Sequence, residues 1–276
     1  MKNGIYIVAT PIGNLKDISI RAQEVLSSAD IIACEDTRVT KKLFNLLGLS
    51  TQKTFIRLDD NTELKQADNL ISLVNEGKSI ALVSDAGSPL ISDPGYKIIK
   101  RCRQEKIEVY TIPGACAVIC ALQLSGLPTN SFMFAGFIPN KDKARKDFLL
   151  NLKNIDTTLV FYETANRILK TLDVVAEIFG TREVSVAREI TKIYEECVSG
   201  SVDDVIKHFL TNNPKGEMVL MIAPPTKEQA NSINVEELLR QELKESTLKT
   251  AVKKLSDQYN LSKNDVYQLA LKIKNE

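Results

Sequence analysis

Three short loops rich in glycine and proline each follow an apolar run that reads as a buried strand. They are Thr10-Pro-Ile-Gly13 after Gly4 to Val8, Asp85-Ala-Gly-Ser-Pro89 after Ser79 to Val83, and Pro113-Gly-Ala-Cys-Ala117 after Glu108 to Ile112. The middle loop continues as Leu-Ile-Ser-Asp-Pro-Gly to Gly95. Small residues let backbone come close to a ligand, proline stiffens the turn, and aspartate offers a fixed acceptor. If the strands are parallel, all three loops lie at one sheet edge, where open α/β sheets bind ligands. They read as one pocket walled by backbone groups. The middle loop is neither G-x-G-x-x-G nor G-x-x-x-x-G-K-[ST], which argues against both common nucleotide fingerprints.

Other chemistries have few residues to draw on. The chain has one histidine, His208, in the helix-like run Asp203-Asp-Val-Ile-Lys-His-Phe-Leu, and no nucleophile motif lies near it. A Ser-His-Asp or Cys-His machine would need it, so it reads as structural or solvated. Cys34, Cys102, Cys116, Cys120 and Cys197 form no C-x-x-C pair, and an odd count suits a reduced, cytoplasmic interior. Cys116 and Cys120 share a helix face without a histidine, so they read as buried small hydrophobes, with no metal expected.

The elements that must position the loops follow from periodicity. Through Leu124, strand-like and helix-like runs alternate with short connections, which predicts a mostly parallel sheet. Helices are expected over Ile20 to Ala29, Lys41 to Leu47 before Gly48, and Leu64 to Asn75 before Gly77. Ser125-Gly-Leu-Pro-Thr-Asn reads as a hinge. Beyond it the pattern is mixed α/β, with Val184 to Glu189 and Ile193 to Val198 expected as an antiparallel hairpin. Ser201 to Asp204 reads as a helix cap. After Pro224-Pro225 the chain reads as helical, with Ser262 to Asp265 capping the last helix and a turn at Tyr259-Asn-Leu-Ser. Expected units are therefore residues 1–124, 125–225 and a helix-turn-helix-like tail, 226–276.

At 276 residues the chain can hold two ordinary domains, and 43% hydrophobic with 26% charged residues is typical of a soluble globular protein. A net charge of +1 gives no global field toward nucleic acid or membrane. No apolar run approaches a transmembrane length, and the N-terminal residues show no signal-peptide pattern.

These residues resemble a known family. Tyr6-Ile-Val-Ala-Thr-Pro-Ile-Gly-Asn-Leu, Cys34-Glu-Asp-Thr-Arg, Ala81 through Gly95, Pro113-Gly, Ser125-Gly-Leu-Pro-Thr, Phe161-Tyr-Glu, Ala187-Arg-Glu and Gly216-Glu are similar to motifs of the tetrapyrrole-methylase superfamily. Within it they resemble the branch that 2′-O-methylates a cytidine of small-subunit (16S) ribosomal RNA. The resemblance covers about residues 4 to 223, and the tail looks like that branch's C-terminal helix-turn-helix. It implies two α/β domains, a homodimer, and S-adenosylmethionine folded into the cleft between the domains. By position, it assigns the cofactor pocket to Pro11, Ile12, Gly13, Asp85, Gly87, Ser88, Ala115, Cys116, Ala117, Tyr162, Arg188 and Met218. The sequence departs from the family pattern at Val39, Asp60 and Ala165-Asn166, where histidines are usual or a Pro-His precedes arginine, and at Cys116, where serine is usual. Those losses argue against an essential histidine.

Displacement at a sulfonium has a good leaving group, so positioning and desolvation do much of the work. A ribose hydroxyl is a poor nucleophile and needs a proton acceptor. Glu35, Asp36, Glu163, Glu189 and Lys192 are candidates, and Glu189 or Glu163 is the expected one. Against each stands a purely structural pairing with Arg38, Arg167 or Arg188. RNA would be held by local basic patches, of which Lys141 to Lys146, with Lys143, Arg145 and Lys146, is the densest. Arg38, Lys41 and Lys42 form a second beside the proposed cleft. Two rival readings are a methyltransferase for a small tetrapyrrole precursor and a non-catalytic ribosome-binding module.

Overall fold

The computed structural model describes residues 1–59, 62–212, 215–226, 235–259 and 262–275. Its first sheet holds β1 (Gly4–Val8), β2 (Ile31–Cys34), β3 (Thr54–Arg57), β4 (Ser79–Val83) and β5 (Val109–Ile112) in the order β3-β2-β4-β1-β5. All its pairings are parallel, as the alternating pattern predicts. Crossover helices α1 (Ile20–Ser28), α2 (Thr37–Leu46), α3 (Glu63–Asn75) and α4 (Tyr96–Gln104) cover both faces. Ile5, Ile80 and Leu82 pack with Leu70, Val74 and Ile98. Their neighbours Tyr6, Val8 and Val83 face the other way, onto Leu26 and Phe44. Burial on both faces is why Ser79 to Val83 is apolar almost throughout.

Helix ends follow their caps. Ser19 opens α1 by accepting from the Ala22 amide at 3.0 Å. Asp36 opens α2 by accepting from the Arg38 amide at 2.8 Å, so the helix begins four residues before the expected Lys41. That cap outweighs the β-branched residues of its first turn. Helix α4 has Gly95 at its N-cap and no capping side chain of its own. Buried Glu63 of α3 supplies one: its Oε1 accepts from the amides of Gly95, Lys97 and Ile98 at 3.0, 2.7 and 3.3 Å.

After α5 (Ala117–Ser125), which ends on left-handed Gly126, the chain enters a second sheet. Strands β6 (Phe132–Phe137), β7 (Thr158–Thr164), β8 (Glu183–Arg188), β9 (Glu196–Ser201) and β10 (Glu217–Ile222) take the order β6-β7-β10-β8-β9. Only β6 and β7 run parallel. Helices α6 (Asp142–Leu152), α7 (Ala165–Phe179) and α8 (Val202–Thr211) pack on one face through Leu149, Leu172, Val175 and Phe209. Helix α5, from the first half of the chain, packs on the other through Val118, Ala121 and Leu122. The β8–β9 hairpin is antiparallel as expected, but β9 starts at Glu196 rather than Ile193. Left-handed backbone at Glu189 and Thr191 breaks the ladder, and Ile193 sits on the turn, 94% exposed.

In the tail, α9 (Val235–Glu245), α10 (Leu248–Tyr259) and α11 (Lys263–Asn275) share a small core of Leu239, Ala251, Val252, Leu255, Val266 and Ala270. Leu248, Ala251, Val252 and Leu255 of α10, at helical spacing, share it with Val266, Leu269, Ala270 and Ile273 of α11. Ser262 accepts from the Asp265 amide at 3.4 Å, as its capping role predicts. The expected tail segment 227–234, the turn at 260–261, and the family departure at Asp60 lie outside the described residues.

Candidate active-site cleft

Strands β4, β1 and β5 are neighbours, so the loops that leave their carboxyl ends converge. Thr10 and Gly87 exchange backbone hydrogen bonds at 2.8 and 3.1 Å. The Thr10 hydroxyl donates to the Ser84 carbonyl at 3.3 Å, and the Ser88 hydroxyl to the Ala115 carbonyl at 3.1 Å. Gly87 has φ +82°, and a Cβ there would sit 3.2 Å from Ile12 Cγ2. The second sheet forms the opposite wall. Between them lies a cavity of about 390 Å³, within the range of small-molecule sites.

Most of the expected residues meet in it. Ile12, Asp85, Gly87, Ser88, Cys116, Ala117, Tyr162 and Met218 line the cleft, as do Glu163 and Glu189. Pro11, Gly13 and Ala115 are not among the lining residues. Ala115 acts through its carbonyl, and Gly13 lies against the loop after β8, where a Cβ would meet Lys192 Cγ at 2.6 Å and Thr191 Oγ1 at 2.7 Å. The Asn14 amide donates to Thr191 Oγ1 at 3.0 Å, so the two walls touch there.

Arg188 requires a correction. Arg188 is not among the lining residues: it donates to Glu196 on the neighbouring strand at 2.5 Å, with His208 on the same carboxylate at 2.9 Å. His208 has a structural role, as its context suggested.

The cleft is acidic and poor in cations. Burial pushes the Asp85 and Asp93 carboxyls up from the ordinary value, and like charge adds to it, from Asp36 at Asp85 and from Asp85 at Asp93. Asp85 accepts from the Asp36 amide at 3.1 Å, and the Ser84 hydroxyl is the partner of Asp93. Among the described residues neither is in a salt bridge. Burial also pushes the Tyr162 phenol far above its usual range, with Cys116 and Asp93 adding to it. Lys192 is the one cation among the lining residues.

The carboxylates named as proton acceptors differ sharply. Glu163 is wholly buried, and both its oxygens are engaged: Oε1 with the Thr164 amide at 2.8 Å and Arg167 at 3.1 Å, Oε2 with the Thr171 hydroxyl at 2.7 Å. It is a structural carboxylate that pins α7 to β7. Glu189 has left-handed backbone, φ +49°, and faces the cleft with Oε1 3.0 Å from Lys192 Nζ. Its Oε2 accepts no hydrogen bond among the described residues. Asp36 is tied to Arg38 at 2.6 Å, which holds its carboxyl far below the usual range.

The basic patches also separate. Lys143 is exposed, and Lys146 pairs with Glu177. Arg145 is a correction: it is 3% exposed, donates to the Asn140 carbonyl at 2.7 Å and pairs with Asp142 at 3.2 Å. Helical spacing places it on the inward face with Leu149 and Leu152. Arg38 stays exposed on its Asp36 anchor, and Lys41 lies 5.1 Å over the Phe55 ring.

Among the lining residues that went unselected from sequence are Asp93 and Phe137. Asp93 stands in the same Gly- and Pro-rich loop as Asp85, and that was the available signal.

The chain matches the family model for tetrapyrrole (corrin/porphyrin) methylases over residues 4–206 and the RsmI C-terminal HTH domain over residues 229–274. It is 41% identical to ribosomal RNA small subunit methyltransferase I of Rickettsia prowazekii over 99% of this chain and 98% of that protein. With the protein of the same name from Erythrobacter litoralis it shares 47% identity, over 98% of this chain and 95% of that one. In fold it is similar to the methyltransferase CobJ, with TM-score 0.60 and 16% identity over 80% of this chain and 94% of that one. A cobalt precorrin-4 methyltransferase aligns with TM-score 0.58 and 15% identity, over 79% and 94%.

Proposed function

The chain belongs to the tetrapyrrole methylase family, and from that premise we propose that it methylates the 2′-hydroxyl of a cytidine in small-subunit ribosomal RNA, with S-adenosylmethionine as donor. The observation that carries this reading is full-length similarity, over 98–99% of the chain, to relatives named as small-subunit rRNA methyltransferases. The cleft fits the donor. Asp85 and Asp93 are half-buried carboxylates that make no salt bridge among the described residues, and a cationic sulfonium ligand supplies a charge to face them. Gly87, Ser88 and Ala117 leave room along its walls, and Ile12, Tyr162 and Val219 give an apolar surface.

When bound there, the donor supplies a methyl group on a good leaving group. The residues of the chain do the rest. Gly87 and Ser88, braced against Thr10 and Ala115, hold the first wall rigid. Burial between the sheets excludes water from the reacting centre. Glu189 Oε2 orients the ribose hydroxyl and accepts its proton, and Lys192 holds the carboxylate in place through Oε1. Glu163 and Arg167 fix the end of β7 and keep Tyr162 in the wall.

Lys143 and Arg38 offer exposed charge for RNA phosphates. The five unpaired cysteines accord with a reducing, cytoplasmic setting, and a homodimer is part of the same reading. Among the described residues no helix is long and apolar enough to cross a membrane. The reading is tested by titrating the protein with S-adenosylmethionine in a calorimeter and mapping any methyl mark it leaves on unmodified small subunits.

A further inference from the structure

Phe134 and Phe137 are three residues apart on β6. In a regular strand they would face opposite sides of the sheet. Here both pack on Tyr162, with ring centroids 4.8 and 5.3 Å from it. The cause is a bulge. Phe134 is opposite Val160 and Phe137 opposite Tyr162, so three steps along β6 match two along β7. Gly136, at φ +72°, takes up the extra residue. A Cβ on Gly136 would meet only Ser92 Oγ, at 3.9 Å, so the left-handed backbone, not lack of space, calls for glycine there. Bulges beside active sites commonly re-aim a side chain.

What the bulge aims is an aromatic ring at the mouth of the cleft. Phe137 lines the cavity yet is 55% exposed. One side of the ring is held by Tyr162, which is itself held by Phe134. Ser92 and Asp93, on the facing loop, form the other lip. A nucleotide whose ribose hydroxyl reaches Glu189 must leave its own stack, and unstacked bases are received on aromatic side chains. Resting on the rRNA reading above, we infer that Phe137 is the stacking platform for the base of the target nucleotide, a pyrimidine on that reading.

The test uses F137A, F137L and F137W on the full chain. The sequence has no tryptophan, so F137W carries a single fluorescent reporter at the proposed platform. Three quantities are read: kcat/KM with unmodified small subunits, co-sedimentation of the donor-free protein with those subunits, and the Kd for S-adenosylmethionine by calorimetry. F137A is expected to lose about 5- to 150-fold in kcat/KM and in subunit binding, the range single base–aromatic stacks give. F137L should lose nearly as much, because it keeps the apolar bulk but not the ring. F137W should stay within a few-fold of wild type. Donor affinity should be unchanged in all three, and F137W emission should not respond to donor alone. Two results overturn the inference: F137A or F137L at wild-type kcat/KM, or a donor-induced change in F137W emission together with lost donor affinity, which would make the ring part of the donor pocket. Wild-type protein that binds subunits without methylating them would instead count against the functional reading.

Discussion

Gly216 leaves the space that the Glu189 side chain fills. A Cβ on Gly216 would sit 2.5 Å from Glu189 Cδ and 2.9 Å from its Cγ, and Gly216 has φ +84°. Two left-handed positions, Glu189 and Gly216, thus face each other at adjacent strand ends and together aim one carboxylate into the cleft.

G216A should therefore displace Glu189 without touching the donor loops. Turnover is expected to fall about 100-fold, the scale of an ångström-sized misplacement of a reacting group. The Kd for S-adenosylmethionine should stay within a few-fold of wild type by calorimetry. Equal losses in both would show that Gly216 supports the whole cleft rather than one side chain.

Glu163 is assigned to stability. E163Q leaves Arg167 without its buried counter-charge, so urea unfolding should show a loss of about 3 kcal/mol. Turnover per folded molecule should remain within a few-fold. A large fall in turnover with unchanged stability would return Glu163 to the reaction.

Asp93 gives a prediction with two opposite signs. Its carboxyl is raised by burial, so its charge opposes folding at neutral pH. D93N should raise the unfolding midpoint of the donor-free protein and weaken donor binding. The sign with pH follows from the same shift. A cationic donor needs the carboxylates of Asp85 and Asp93, both raised, so affinity should be full above their pKa values and fall as pH drops through them. That fall should begin at higher pH than an ordinary aspartate would allow. Calorimetry across pH, with Asp36, Arg38 and Tyr162 as the other ionisable neighbours, measures it; flat affinity would remove the acidic pair from donor binding.

Arg145 and Lys143 should behave differently although they are two residues apart. R145A removes a buried side chain with two helix-start contacts and should cost about 2 kcal/mol of stability. K143A should leave stability unchanged and reduce the salt dependence of RNA binding by about one counterion. Identical effects from the two variants would contradict this division.

Much of this arrangement could be read from the chain, for physical reasons. Buried parallel strands are apolar throughout, and ligand loops at their ends need Gly, Pro and Asp, so Thr10, Asp85, Gly87 and Pro113 were visible before any coordinates. The cap at Ser262 that opens the last tail helix was equally plain. What escaped depends on facing and register. Arg145 looks like one of a run of surface cations until its spacing from Leu149 and Leu152 is counted. Arg188 sits in a motif that looks like part of the site, but its partner Glu196 comes from the next strand and holds it out of the lining. The bulge at Gly136 has no sequence signal beyond one glycine between phenylalanines. Glu189 and Glu163 look alike as residues; three donors around one and an unmatched oxygen on the other separate them.

The most direct test of the central claim follows the methyl group. Wild-type and E189Q protein are incubated with methyl-labelled S-adenosylmethionine and unmodified small subunits, free rRNA or a tetrapyrrole precursor, and the labelled product is isolated. The predicted result is label in a single cytidine of small-subunit rRNA that resists alkaline cleavage, as a 2′-O-methyl ribose does, with E189Q at least about 100-fold slower and its donor Kd intact. Label in the tetrapyrrole, label on a base instead of the ribose, or no transfer from protein that binds donor normally would contradict it.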